Sequence, residues 1–261
     1  MAQATVRTAL VTGASMGLGR EYAKLFAKDG HELVLVARSE ERLKELADEL
    51  GAQHGVRATA IAADLSDPQA PARLMSSLER ARINVDFLVN NAGFGLNGSF
   101  HELDAQRQLA MIHLNIGALT ALTRAVVPGM ALRRFGRVLN IASTAGFQPG
   151  PGMAVYYASK AYVISLSEAI AHELKGTGVT VTCHCPGATA TEFANTADNA
   201  DSKLFKAGVA DPAAVAAHGY RAMMKGRVLS IAGPMNWIGA QSVRFSPRPV
   251  VRSLTAWMNS K

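Results

Sequence analysis

Three side chains with complementary proton chemistry stand close together in this sequence: Ser143, Tyr156 and Lys160. Tyr156 and Lys160 are four residues apart near the start of a helical run, so they share one helix face. A free phenol titrates near ~10, too high for ready proton exchange at neutral pH. An ammonium one turn away stabilises the phenolate and draws that value down. A tyrosine so placed can protonate a carbonyl oxygen as hydride reaches the carbon, or take the proton from an alcohol in reverse. Ser143, closing an apolar strand, can hydrogen-bond the same oxygen and orient it. Tyr157 adjoins the candidate acid but lacks the spacing to Lys160, so it reads as a packing residue.

A hydride needs a donor, and the first strand ends in a turn suited to a dinucleotide. Thr12–Gly19 reads TGASMGLG. Glycines there allow a tight turn and let a pyrophosphate approach backbone N–H groups at the positive end of the next helix. A Walker A loop is excluded, because Arg20-Glu21 follows Gly19 where Lys-Ser/Thr is required. Gly13 to Gly17 also satisfies G-x-S-x-G, which would make Ser15 the nucleophile of a hydrolase. Against that rival stand its position after the first strand and the lack of an HGGG-type segment. A second rival is a dinucleotide-sensing protein without catalysis. The second strand ends in Val36-Ala37-Arg38-Ser39, with no carboxylate before Glu40. An acid at this place accepts from the ribose 2′-OH, whereas a guanidinium pairs with a 2′-phosphate, so Arg38 favours NADP(H) over NAD(H).

The elements that must position these groups alternate between strand and helix. Val6–Thr12, Leu33–Arg38, Arg57–Ala63, Val85–Asn91, Arg137–Ser143, Val179–Cys185 and Arg227–Ala232 are seven candidate strands. Most are nearly continuous in apolar residues, as in a parallel sheet covered on both faces. Ser39 can cap a helix whose apolar face is Leu43, Leu46, Ala47 and Leu50. Asp67-Pro68 and Asp211-Pro212 each read as an N-cap followed by proline in the first turn. The expected fold is α/β: a doubly wound, Rossmann-like parallel sheet of about seven strands with helices on both faces, in one domain spanning residues 1–261. Ligands of such sheets bind beyond the carboxyl ends of the strands.

With these segments in place, the chain resembles the short-chain dehydrogenase/reductase family of the tyrosine-dependent type. The resemblance rests on TGASMGLG at Thr12–Gly19, NNAG at Asn90–Gly93, Asn115, NIAS at Asn140–Ser143, YYASK at Tyr156–Lys160 and Pro186-Gly187. It covers roughly Thr5 to Ala232. It implies that Gly13, Ser15, Met16, Gly17, Leu18 and Gly19 shape the pyrophosphate turn. It implies that Asp64 and Leu65 contact the adenine side, that Asn90 supports the sheet, and that Asn91, Ala92 and Gly93 adjoin the cofactor. Lys160 would also hold the nicotinamide ribose, and Asn115 would fix a water in a proton relay to Lys160. Pro186, Gly187, Thr189 and Thr191 would approach the nicotinamide. Thr189 departs from the apolar residue usual there. A homodimer or homotetramer is likewise implied. The residues support Asn115 independently: Asn and Gly117 are poor helix formers, so His113–Ala121 reads as a distorted helix with a free carbonyl.

Composition bounds the remainder. Of 261 residues, 49% are hydrophobic and 18% charged, which suits one large core and excludes global disorder. The net charge is +7, and seven bases (Arg221, Lys225, Arg227, Arg244, Arg248, Arg252, Lys261) follow the last acid, Asp211. The rest of the chain is neutral, so no basic stripe suggests nucleic acid. Cys183 and Cys185 point to one side of a strand and read as free core thiols, with His184 an ordinary strand residue. The His-Glu pairs at His31, His101 and His172 would need a second histidine at Leu35, Ala105 and Gly176, so no metal is expected. No secretory leader is expected, and the longest apolar stretch, Val228 to Ala240, reads as too short for a bilayer; a cytoplasmic protein is expected.

Residues 188–210 read as a substrate lid and 234–261 as a basic tail. Phe94, Phe147, Met153 and Phe193 are candidate walls for an apolar carbonyl or alcohol substrate. From Pro249 onward, Val250, Val251, Leu254, Trp257 and Met258 form one helical face. It is expected to pack on the domain or a partner subunit, with peripheral membrane contact as the other reading.

Overall fold

Seven strands make one parallel sheet in the order β3-β2-β1-β4-β5-β6-β7. They are β1 (Thr8–Thr12), β2 (Glu32–Ala37), β3 (Ala58–Ala62), β4 (Phe87–Asn90), β5 (Gly136–Ile141), β6 (Val179–Cys185) and β7 (Leu229–Ile231). All seven expected strands are present, most of them shorter than the apolar runs suggested. Ser143 therefore does not close β5; it lies two residues beyond it, in the loop. The computed structural model describes residues 6–206 and 208–260. Thr5, Lys261 and most of the N-terminal segment behind the leader reading lie outside the described residues.

The helices follow from the same alternation. In order they are α1 (Gly17–Lys28), α2 (Glu40–His54), α3 (Ala70–Arg80), α4 (Ala105–Ile112), α5 (Leu119–Leu132), α6 (Ala154–Glu173), α7 (Phe193–Thr196), α8 (Lys203–Lys206), α9 (Pro212–Met224), α10 (Pro234–Ser242) and α11 (Arg248–Asn259). Each strand in the sheet's interior sends alternate side chains to opposite faces. Ala9 and Val11 of β1, with Leu33 and Leu35 of β2, pack beneath Tyr22, Phe26, Leu43 and Tyr220. Leu10, Val34 and Val36 face the other side, against Leu74, Leu122 and Val126. Two apolar layers thus bury both faces, the main source of stability in such a fold.

Capping follows the expectations in part. Asp211 accepts from the Ala214 N–H (2.8 Å) with Pro212 in the first turn of α9. Ser39 occupies the N-cap position of α2, but its side chain makes no capping bond. Leu43, Leu46 and Leu50 are buried as expected. Asp67-Pro68 caps nothing: Asp67 Oδ1 accepts from the Gln69 N–H (2.9 Å), forming a turn, and α3 starts at Ala70 with Pro71 in its first turn.

Between α4 and α5 the helix widens into a π turn over His113–Ala118, which contains Asn115 and Gly117. This is the expected distortion. The combined helix Ala105–Leu132 is the one described segment long and apolar enough to cross a membrane, longer than Val228 to Ala240. Its buried side (Met111, Leu119, Leu122, Val126, Met130) is used within the domain.

Candidate active site

The strand order reverses between β1 and β4: the chain runs outward through β2 and β3 on one side of β1, then crosses to β4 on the other. Beyond the carboxyl ends of the strands lies a cavity of about 660 Å³. Its wall begins at the glycine turn. Gly13 and Gly17 adopt φ of +65° and +53°, which side chains rarely tolerate. Met16 is extended at the N-cap, so α1 starts at Gly17 and aims its N-terminus into the cavity. A Cβ on Gly19 would collide with the Gly13 carbonyl, so this glycine lets α1 seat against the turn and does not itself line the cavity.

Asn91, just past β4, holds that turn in shape. Its Nδ2 donates to the carbonyls of Thr12 (3.0 Å) and Gly13 (3.2 Å), and its N–H donates to Thr12 Oγ1 (3.0 Å). Asn90 points the other way, donating to Asn140 Oδ1 (2.9 Å) and Thr123 Oγ1 (2.9 Å). Asn140 in turn donates to Ser167 Oγ (2.9 Å) of α6. This buried polar ladder fixes α6 against β5, and α6 carries the candidate acid.

Arg38 is exposed just past β2, on the cavity wall with Asp64 and Leu65. Asp64 accepts from the hydroxyl (2.7 Å) and N–H (3.0 Å) of Ser66. The Ser66 hydroxyl chiefly, aided by its N–H and the Arg38 charge, holds the carboxyl below its usual range against the opposing effect of burial.

Ser143 caps a 3-10 turn over Thr144–Phe147. Its Oγ accepts from the Ala145 N–H (3.1 Å) and donates to Pro186 O (3.4 Å). Tyr156 and Lys160 occupy the first two turns of α6, 8% and 6% exposed. Lys160 Nζ donates to Ile141 O (2.8 Å) and stands 5.7 Å from the Tyr156 ring centre. Ser143, Tyr156 and Lys160 share the wall that holds the glycine turn. The expectation that the ammonium lowers the phenol's pKa is not met. Burial pushes Tyr156 up, and the nearby Ser143 hydroxyl only partly reverses this. Burial likewise brings Lys160 down to about 8. Both groups sit deep in the wall, and desolvation is the largest influence on each.

Of the expected site residues, Ser15, Met16, Leu18, Ala92, Gly93, Pro186, Gly187, Thr189 and Thr191 also line the cavity. Asn115 stands behind it. Its Nδ2 donates to Phe94 O (3.0 Å) and Ser159 Oγ (3.1 Å), and its Oδ1 accepts from the Phe94 N–H (3.2 Å). Thr189 turns its hydroxyl back to Gly187 O (3.0 Å) and pairs with Ala210, which gives the loop its path. The Ser15 hydrolase reading lacks a base, since no histidine appears among the described residues of the wall. Cys183 and Cys185 are free and buried, their sulfurs 3.9 Å apart on one side of β6.

On the substrate side, Phe94, Met153 and Phe193 line the cavity. Phe147 does not; it packs with Val163 and Ile164 under α6. The tail differs from its expected packing. Val251, Thr255 and Asn259 are the buried positions of α11, whereas Val250, Leu254 and Trp257 are more than half exposed. Val250, Leu254 and Met258 line the cavity, together with Met235. Sequence reasoning missed this, although the apolar stripe in the tail was its visible signal. It also missed the polar partner of Tyr157: the phenol is buried as expected but donates to Asn259 Oδ1 (3.0 Å).

A family model described as short chain dehydrogenase matches residues 7–202. The chain belongs to the short-chain dehydrogenase family. This short-chain dehydrogenase is 36% identical over 195 residues to the oxidoreductase UcpA of Salmonella typhimurium, covering 74% of this chain and 73% of that protein. It is 39% identical over 188 residues to the NADP-dependent 3-hydroxy acid dehydrogenase YdfG of Escherichia coli K12, covering 71% and 74%. Among solved structures, it is similar to a short-chain dehydrogenase from Sphingobium yanoikuyae in complex with NADPH (TM-score 0.82, 35% identity, 92% of this chain and 94% of that one). It is also similar to the bulky-bulky ketone specific alcohol dehydrogenase from Comamonas testosteroni (TM-score 0.79, 32% identity, 93% of each chain). The short-chain dehydrogenase is thus an oxidoreductase with a Rossmann-like fold.

Proposed function

We propose that this short-chain dehydrogenase is an NADP(H)-dependent carbonyl reductase or alcohol dehydrogenase acting on an apolar ketone or secondary alcohol. The observation that carries the reading is the shared wall of Ser143, Tyr156, Lys160 and the glycine turn around one cavity. The residues fit a dinucleotide. Gly13 and Gly17 hold positive φ where a side chain would crowd Asn91 and Thr191, and α1 offers its N-terminus to a pyrophosphate. Arg38, with no carboxylate beside it on its strand end, suits a 2′-phosphate. The NADP dependence named for the Escherichia coli relative and the NADPH in the Sphingobium structure agree with this choice.

When bound, the nicotinamide supplies the hydride. The chain's own groups handle the oxygen and the proton. Ser143 Oγ orients the substrate oxygen, and Tyr156 holds the proton on its Oη until that oxygen becomes basic. The same phenol serves both directions, giving its proton to a carbonyl oxygen or taking one from an alcohol. Lys160, fixed by Ile141 O, offers positive charge as the phenolate forms. Phe94, Met153 and Phe193 exclude water from one side of the cleft. The test is consumption of NADPH and NADH across a panel of ketones, from small dialkyl to bulky aryl compounds. Turnover of aryl ketones with NADPH preferred supports the reading, and absence of any ketone-dependent NADPH consumption overturns it.

A further inference from the structure

The C-terminal helix is fastened to the domain through one buried amide. Asn259, 3% exposed in the last turn of α11, accepts from the Tyr157 hydroxyl at Oδ1 (3.0 Å) and donates from Nδ2 to Pro151 O (3.0 Å). Its own carbonyl accepts from Asn97 Nδ2 (3.1 Å), which also donates to Asn199 Oδ1. The side chain thus joins α11 to α6 and the turn before it, while the backbone carbonyl joins α11 to the loop after β4, which in turn reaches the segment between α7 and α8. A second tie lies one residue on. Lys203 donates from Nζ to Ser260 Oγ (2.6 Å) and from its N–H to Ser260 O (3.1 Å), with its ammonium 5.5 Å from the Trp257 ring centre. A cation is favoured at this end of a helix.

What these ties hold is a cleft wall more than a piece of core. Val250 and Leu254 remain 59% and 55% exposed, yet they line the cavity with Met258. Val251 is the one buried apolar residue of α11, so the polar hub carries much of the helix's attachment. The hub also reaches the candidate acid. Tyr157 follows Tyr156 directly, and their rings meet edge to face with centres 6.1 Å apart.

We propose that Asn259 is a positioning residue that sets substrate size: it keeps α11 closed as the apolar wall of the cleft and ties that wall, through Tyr157, to the helix turn bearing Tyr156. The proposal rests on the reading of the cleft as a ketone site. Removing the amide leaves the buried Tyr157 hydroxyl without its partner and also frees the turn at Pro151, so truncation weakens the wall more than loss of one contact would suggest.

The experiment compares wild type with Asn259→Ala, Tyr157→Phe and the double variant. Two readouts are taken: hydrogen exchange of α11 without ligands, and KM and kcat for a bulky aryl ketone against a small dialkyl ketone. In Asn259→Ala, exchange over residues 248–259 accelerates. KM for the bulky ketone rises about tenfold more than KM for the small one, and kcat changes less than KM. Tyr157→Phe gives part of both effects. The double variant is no worse than Asn259→Ala, because the two side chains share one hydrogen bond. Unchanged exchange in α11, or losses equal for both ketones and carried by kcat, overturns the proposal. Should wild type reduce neither ketone, the functional reading fails, while the exchange data still decide whether Asn259 holds the helix.

Discussion

Lys160 Nζ donates to the carbonyl of Ile141, the last residue of β5, at 2.8 Å. The bond anchors the ammonium to the sheet's carboxyl edge while its buried setting brings the pKa down to about 8. The charge is thus lost as pH rises through about 8, and with it the support for a phenolate on Tyr156. Reduction rate should fall on the alkaline side with a midpoint near that value. Arginine keeps its charge throughout, so Lys160→Arg, even if slower, should lack this limb in a pH–rate profile. An unchanged midpoint in the variant would assign the limb to another group.

Tyr156→Phe removes the proton donor and leaves the ring that packs on Phe193 (centres 5.2 Å apart). Ketone reduction should fall by about 10²–10⁴-fold, the usual contribution of a positioned acid. NADPH affinity, followed by cofactor fluorescence, should change little. Retention of full turnover would remove Tyr156 from the reaction.

Arg38 is exposed at the end of β2, and Asp64 lies close enough to feel its charge. Arg38→Asp replaces a partner for a 2′-phosphate with a repelling group. The NADPH to NADH ratio of dissociation constants should shift toward NADH by about tenfold or more, since charge-assisted hydrogen bonds contribute about 1.5–3 kcal/mol. Titration of both cofactors decides; an unaltered ratio would falsify the assignment.

Gly19→Ala sets two effects against each other. Alanine favours the helix over glycine by about 1 kcal/mol. The added Cβ meets the Gly13 carbonyl and Asn91 Nδ2, both part of the clamped turn, and overpacking of this kind costs about 1–3 kcal/mol. The clash should win: denaturant unfolding should show a less stable protein, and cofactor binding should weaken. A variant as stable and as well loaded as wild type would contradict the packing role.

His184 is fully buried on β6, its Nδ1 3.2 Å from Ser230 O. Burial, with His218 beside it, brings its pKa down to about 4. The unfolded chain takes up this proton near ~6.5, so unfolding is favoured as pH falls from there to about 4. The loss is on the order of 3 kcal/mol, complete by about pH 4, because each unit is worth about 1.4 kcal/mol. His184→Gln should flatten that part of the stability–pH curve measured with urea. Parallel curves would show that other groups govern acid sensitivity.

Local sequence was sufficient for much of this. Apolar runs predicted every strand, because a strand buried on both faces must be apolar along its length. The glycines before α1, the i, i+4 spacing of Tyr156 and Lys160, and the poor helix formers Asn115 and Gly117 each encode a short-range geometry. Three matters were decided only by tertiary structure. Whether burial or the ammonium sets the Tyr156 pKa depends on how deeply the folded wall desolvates both. Phe147 turned under α6 instead of toward the cleft, a choice between two neighbouring apolar surfaces that no local pattern distinguishes. The tail's apolar stripe was visible, but its place on the cavity, and the buried contact of Asn259 with Tyr157, join residues 102 positions apart. Contacts at that distance arise only when the whole chain has closed on its sheet.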